Sequence, residues 1–331
     1  MNENWNLLGH EWAVEMLRQH IARGAVRHAY LFTGPPGLGR RTLALRFAQA
    51  LNCTNPPEPG QPCSQCRDCK QIDAMQHPDL AIVQAETEGG SLKVEQIREL
   101  QRSLSLTSYQ SRFRVALLLR FQEATDSAAN ALLKTLEEAP AHVILLLTAD
   151  NAEQLLPTIT SRCEIMRLRP LPVAAVEQHL LSRGAEPGQA SLLAHLSGGR
   201  PGYALRLLAD ADALDERADR LNDLQKLLPA TRIEKFDYAV KLSKDKDIFR
   251  GVLLLWLSYW RDVFLKASGA QVAIANPDRE KEIASLAAQL GFPASRRILK
   301  LHERALGQLE RNVNARLLAE NLLLQWPPAQ S

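Results

Sequence analysis

Long apolar runs are missing from this 331-residue sequence, and the longest, such as Val252 to Leu257, fall far short of the roughly 20 residues a membrane span needs. A membrane protein is excluded on that ground. The start, MNENWNLLGHEW, lacks a basic segment followed by an apolar core, so the expectation is a cytoplasmic protein without a secretory leader. An excess of one charge is missing too. The net charge is +3 with 23% charged residues, well mixed, and the isoelectric point is near 8.6. That balance excludes a general nucleic-acid-binding surface and leaves DNA contact to local patches. Neither an internal repeat nor a low-complexity stretch is present. Cysteine is scarce and unevenly placed, with four of the five between Cys53 and Cys69. A chain of this length buries roughly three quarters of its unfolded surface and needs no disulfides for stability. In a cytoplasmic protein such a cluster argues for metal.

What is present begins with alternation. Helical spacing over Glu11 to Arg23 precedes an apolar run at His28 to Thr33, and Arg41 to Leu51 is helical again. TNPPEPGQP then breaks all periodicity and delivers the cysteines. Strands are expected at Asp79 to Gln84, Arg114 to Leu119, His142 to Thr148 and Glu164 to Leu168. Between them lie a turn at ETEGG, a helix from Lys93 to Leu106, and a helix AANALLKTLEE with Asp126 as cap and Pro140 marking its end. Strands and helices alternating at these intervals imply an α/β domain with a parallel sheet covered on both faces. Beyond Pro170 strand signals stop. Short helices broken at GAEPG and SGGRPG fill Val173 to Leu208, and Asp210 to Gln325 is helical throughout. Trp256, Tyr259 and Trp260 on the segment Lys246 to Lys266 read as core aromatics, with an oligomer interface as the alternative.

The segment YLFTGPPGLGRRTLALRF at Tyr30 to Phe47 reads as strand, glycine-rich loop and helix, the arrangement in which backbone amides and a helix N-terminus cradle phosphate. Gly34, Gly37 and Gly39 keep the spacing of that loop. Arg40 stands where the lysine belongs, Arg41 where a magnesium-binding hydroxyl belongs, and Thr42 sits one place late. Arginine is a planar fork, not a compact point charge, so the loop is expected to be a poor catalyst. Two readings stand: a degenerate anion cradle, or a tight strand-to-helix turn without ligand.

Cys53, Cys63, Cys66 and Cys69 follow the spacing C-x9-C-x2-C-x2-C, and four thiolates so placed can close a tetrahedron around zinc. An iron–sulfur cluster takes the same ligands, and a redox pair is the third reading. The last is disfavoured by a proline-rich loop with no expected helix bearing the CxxC. Four protein ligands leave no open position for water, so the role expected is structural.

Taken together, HAYLFTGPPGLGRRTLA, the four-cysteine insert, NALLKTLEEAP at 130 to 140 and TITSRC at 158 to 163 resemble the clamp-loader family of bacterial DNA polymerase III. The resemblance is specific to about residue 165, weaker through SGGRPGYAL, and rests on helical character after that. It implies an AAA+ RecA-like domain over 1–168 with a zinc module at about 53–69, a small helical lid over 169–209, and an all-α collar over 210–331. It also implies partners: the tau/gamma motor and delta subunits, the sliding clamp, and primed DNA reached through the complex. Aligned on Asn130, the motor's acidic pair falls at Leu119 and Arg120; aligned on Ala204 and Leu205, its lid arginine falls at Gly202, with Arg200 short of that position. The nearest acid, Glu123, lies three residues late. These departures resemble the delta-prime branch, for which no ATPase of its own is expected; its enzymatic setting is the DNA-directed DNA polymerase of the holoenzyme. Ser161, Arg162 and Cys163 form the SRC motif, and the resemblance implies that Arg162 acts in trans on a neighbour's ATP, against the plain reading of a surface ion pair. On AANALLKTLEE, Lys134, Glu137 and Glu138 are expected on a solvated helix face with Lys134 and Glu138 paired at i,i+4; the resemblance implies an interface contact as the alternative, and no catalytic role is expected of them. The alternatives to this function are an active tau/gamma-like motor and a zinc-dependent DNA-binding module.

Overall fold

Five short apolar runs assemble into one parallel sheet. They are β1 (Ala29–Thr33), β2 (Leu80–Val83), β3 (Arg114–Leu118), β4 (Val143–Ala149) and β5 (Glu164–Arg167), in the order β2-β3-β4-β1-β5. The computed structural model describes residues 4–87, 89–105, 109–310 and 313–327. Every residue of β1 and β4 is buried, as expected for central strands of a parallel sheet covered on both faces. Each large aliphatic side chain in β4 contributes about 1.5–3 kcal/mol by leaving water.

Alternation along the strands splits that core into two layers. Tyr30 and Phe32 of β1 face a layer with Val14 and Leu17 of α1 (Glu11–Ala22) and Phe47 of α2 (Arg40–Asn52). Leu31 faces the other layer, with Ile97 and Leu100 of α4 (Val94–Leu104) and Leu132 and Leu136 of α5 (Asp126–Glu137). Parallel register brings the carboxyl ends of β1 and β4 side by side, Thr33 opposite Ala149. The residues just beyond those strands therefore meet at one edge.

Most expected elements are present within a residue or two, and the differences are local. Thr125, not Asp126, caps α5, its hydroxyl accepting from the Ala128 amide while Asp126 is the first helical residue. The expected end of α4 at Leu106 lies outside the described residues, as does Glu88 of the ETEGG turn. A helix also appears where none was expected: α3 (Arg67–Asp73) opens on Cys66 as its cap. The short helix α6 (Pro157–Thr160) precedes β5.

The chain divides into two compact units, Met1–Pro172 with Gly199–Tyr203, and Val173–Gly198 with Ala204–Ser331. The second is helical: α7 (Val173–Ser182), α8 (Pro187–Ser197), most of α9 (Pro201–Ala209), α10 (Ala211–Leu227), α11 (Arg232–Leu242), α12 (Lys246–Ala267), α13 (Glu280–Glu310) and α14 (Ala315–Leu324). Gly291, at φ 67°, and Pro293 break α13 internally. Trp256, Tyr259 and Trp260 of α12 are fully buried in this unit's core, Trp256 and Trp260 packing edge-on against Trp326. The core reading of these aromatics holds. Among the described residues, no helix is long and apolar enough to cross a membrane.

Candidate functional site: a closed phosphate loop, a four-thiol cluster and an exposed arginine

The glycine-rich loop leaves β1 and enters α2 as its sequence implies. Gly34 (φ 141°) passes so close to the Leu168 carbonyl that a Cβ would lie 2.7 Å from its oxygen. Gly37 (φ 89°) passes equally close to the Tyr203 backbone, and its carbonyl accepts from the Gly202 amide at 2.8 Å. The chain at Gly202 thus crosses the loop, where a Cβ would lie 3.0 Å from the Gly37 carbonyl oxygen. Arg200 lies over the Tyr203 ring at 4.5 Å. Gly39 caps α2, and Arg41 and Thr42 point to solvent.

Asp150 closes the loop, and sequence reasoning did not single it out. It comes directly after β4, its carbonyl accepts from the Gly34 amide at 3.1 Å, and its carboxylate lies 2.8 Å from Nη2 of Arg40. The attraction is one of charge more than of a formed hydrogen bond, since Asp150 Oδ1 and Arg40 Nη1 are buried without hydrogen-bond partners. The Arg40 side chain is only 10% exposed. His10, whose Nε2 donates to the Leu38 carbonyl at 3.1 Å, anchors the loop from the N-terminal side. Burial holds the His10 pKa below its ordinary value, the hydrogen bond to Leu38 opposing.

At the next strand end, Leu119 is buried and its amide donates to the Val83 carbonyl. Arg120 adopts a left-handed conformation (φ 50°) with its amide on Thr148 Oγ1 at 2.9 Å. Its Nε donates to Glu123 Oε1 at 2.8 Å, and the same oxygen accepts from the Gly89 amide at 3.0 Å. Glu123 is thus committed to Arg120 and to the preceding loop. The two acids at this edge, Asp150 and Glu123, are each neutralised by an arginine.

The four cysteines come together, their sulfurs all within 4.8 Å of one another. Cys63 and Cys69 sulfurs are 4.0 Å apart, and the amides of Cys63, Cys66 and Cys69 donate to the sulfurs of Cys53, Cys63 and Cys66. All five cysteines are unbridged thiols. One expectation is corrected: Cys69 does lie on a helix, α3, and Cys66 caps it, its sulfur accepting from the Cys69 amide so that a segment this short can start. Burial pushes Cys53 and Cys69 thiols up. It pushes on Cys66 as well, but hydrogen bonds from the Cys69 amide and Thr54 outweigh it and lower that thiol to about 6. Four soft donors this close, with amides turned toward the sulfurs, fit a cation held as a tetrathiolate. Gln49 of α2, donating to the Cys69 carbonyl at 2.7 Å, and Trp5, donating to the Gly60 carbonyl at 3.1 Å, fasten this module to the sheet domain.

The SRC motif is the turn from α6 into β5. Cys163 packs into the second core layer, where burial pushes its thiol up to about 12, so it is an anchor and not a nucleophile. Arg162 stays 36% exposed, with Nη1 donating to the Thr158 carbonyl at 2.9 Å and Nη2 on Glu137 Oε1 at 2.6 Å. The expected i,i+4 pair of Lys134 with Glu138 is not formed among the described residues, and Glu137 turns instead to Arg162.

Fold and site define an α/β protein with a five-stranded parallel sheet, an altered phosphate-loop motif, a four-cysteine insert and a helical C-terminal region. Residues 9–172 match the family model described as DNA polymerase III, delta subunit, and residues 211–327 match the model for the C-terminal part of the same subunit. DNA polymerase III subunit delta' of Bacillus subtilis is 31% identical over 317 residues, 94% of each chain. The delta' subunit of Pseudomonas aeruginosa is 32% identical over 326 residues, 95% of this chain and 96% of its own. DNA polymerase III subunit tau of Escherichia coli is 33% identical over 217 residues, 63% of this chain and 33% of its own. The chain belongs to the DNA polymerase III delta' subunit family.

Proposed function

We propose that this chain is the non-hydrolysing delta'-type subunit of a DNA polymerase III clamp loader, a rigid neighbour that delivers Arg162 to the ATP site of a tau/gamma motor. With the motor and a delta subunit it helps place the sliding clamp on primed DNA in the cytoplasm. The 169–209 segment serves as its lid and 210–331 as its collar. The observation that carries the reading is the closure of its own loop: Arg40 faces Asp150 at 2.8 Å, where a phosphate would have to displace the acid. With Leu119 and Arg120 at the acid positions, the site lacks the carboxylates that would hold magnesium and orient water. Arg162, by contrast, needs no working site of its own. Guanidinium groups supplied in trans stabilise transferring phosphates by about a thousandfold or more.

Cys53, Cys63, Cys66 and Cys69 would hold structural zinc, which supplies cohesion to a module with almost no apolar core. Zinc is favoured over an iron–sulfur cluster because four sulfurs within 4.8 Å of one another suit a single tetrahedral ion at about 2.3 Å from each and leave little room for a core of several irons.

The test is ATP turnover by the purified chain, alone and with primed DNA, together with its co-purification with tau/gamma and delta. No turnover alone and a stable complex are expected. Motor-like turnover by the lone chain contradicts the reading.

A further inference from the structure

Two motifs that the sequence keeps apart, NALLKTLEE and SRC, are joined by one ion pair, Glu137 to Arg162 at 2.6 Å. Both terminal nitrogens of the guanidinium are thereby tethered, Nη2 by Glu137 and Nη1 by the Thr158 carbonyl, with Ser161 Oγ 3.5 Å from Nη1. The carboxylate sits where helix chemistry disfavours it. Glu137 is the last residue of α5, and a negative charge there opposes the helix dipole. Local rules broken in this way mark positions retained for something other than helix stability. Glu137 is 49% exposed and Arg162 36%. A pair this open is weak as a stabilising contact but sufficient to bias a long side chain among its rotamers.

We propose that Glu137 is the positioning residue for Arg162: it holds the guanidinium extended at the edge of the sheet domain, oriented for a phosphate presented by the neighbouring subunit. The inference rests on the trans-acting role of Arg162 proposed above. Because the pair is solvent-exposed, the neighbour's phosphate can share or take over the guanidinium without removing a buried charge from its partner. Glu137 then acts before hydrolysis, by pre-ordering the arginine, and makes no contact with nucleotide. An effect confined to orientation in the transition state lowers kcat and leaves the KM for ATP unchanged.

The experiment measures DNA-stimulated ATPase of the complete loader, reconstituted with tau/gamma, delta, sliding clamp and primed DNA, carrying Glu137→Gln, Arg162→Ala or both. Thermal melting of each variant chain serves as the folding check, and Glu137→Asp serves as the conservative variant. Glu137→Gln is expected to lower kcat by about 1.5- to 5-fold at unchanged KM, the range an exposed charge pair carries. Glu137→Asp restores part of the loss, and Glu137→Gln adds nothing once Arg162 is alanine. Unchanged or raised kcat in Glu137→Gln, with Arg162→Ala still impaired, overturns the positioning role and leaves the arginine's role standing. A Glu137→Gln loss that persists undiminished in the Arg162→Ala background overturns it equally. Full activity of Arg162→Ala overturns both.

Discussion

The phosphate-loop edge and the SRC corner each place an arginine against an acid, at 2.8 Å for Arg40 and Asp150 and 2.6 Å for Arg162 and Glu137. Their burial differs. Arg40 is 10% exposed beneath a loop pinned by Gly34, Gly37 and His10, whereas Arg162 is 36% exposed on a turn anchored by Ile159 and Cys163. The same chemistry therefore differs in how readily it exchanges: parting Arg40 from Asp150, itself 36% exposed, strands a largely buried guanidinium, whereas Arg162 and Glu137, both open, part more readily. The loop's arginine faces an acid of its own strand edge, and the corner's guanidinium stays partly open to solvent.

The largest way to break that contrast is through the metal, because α2 begins with Arg40 and ends next to Cys53. Structural zinc is worth on the order of 10 kcal/mol in peptides. Chelation, or Cys69→Ser, is expected to abolish hydrogen-exchange protection in α3 and the end of α2 while sparing β5 and the SRC turn. Zinc content well below one per chain in folded native protein contradicts the site.

Acid comes next. Burial lowers the pKa of His302, opposed by its hydrogen bond to Ile298, to about 4 from 6.5. The unfolded chain then binds the proton first. Stability is complete above pH 6.5 and falls as pH drops toward 4, by up to about 3 kcal/mol for this one residue. His302→Phe should flatten that slope in denaturant titrations of the whole chain. His10 acts in the same direction on the phosphate-loop side, and its removal by His10→Gln should sharpen the contrast by reducing acid sensitivity there alone.

Asp150→Ala gives the smallest effect and converts the closed arginine into an open one. Leaving Arg40 without its acid is expected to cost about 1–3 kcal/mol in thermal or chemical unfolding. The same variant should bind inorganic phosphate or ATP more tightly than the parent by calorimetry. Equal stability and equal anion affinity would mean the pair does not close the loop.

The sheet was legible because its strands are short apolar runs between turn residues, and the cysteine site because the spacing C-x9-C-x2-C-x2-C admits few other geometries. Helix α3 was not, since seven residues after a proline-rich loop carry no periodicity and its cap is a sulfur. Thr125 displaced Asp126 as cap by one residue, the usual uncertainty at a helix end. Asp150, and the pairing of Glu137 with Arg162, were missed for another reason: the partners lie far apart in sequence and meet only through the parallel register and the packing of α5 against α6. Asp150 is discoverable in principle as the first residue past β4, on the edge that also carries the loop. For Lys134 and Glu138, a local pairing rule worth only about 0.2–0.5 kcal/mol gave way to tertiary structure.

The two arginines, Arg40 and Arg162, differ in which is free to face a neighbour. The most direct test of that difference puts Arg40→Ala and Arg162→Ala side by side in the reconstituted loader and measures hydrolysis at the adjoining motor site under single-turnover conditions. Arg162→Ala is expected to slow that site by about a thousandfold, with Arg40→Ala within about twofold of the parent, as for a residue outside the reaction. Loss of hydrolysis on changing Arg40, with Arg162→Ala unaffected, would contradict it.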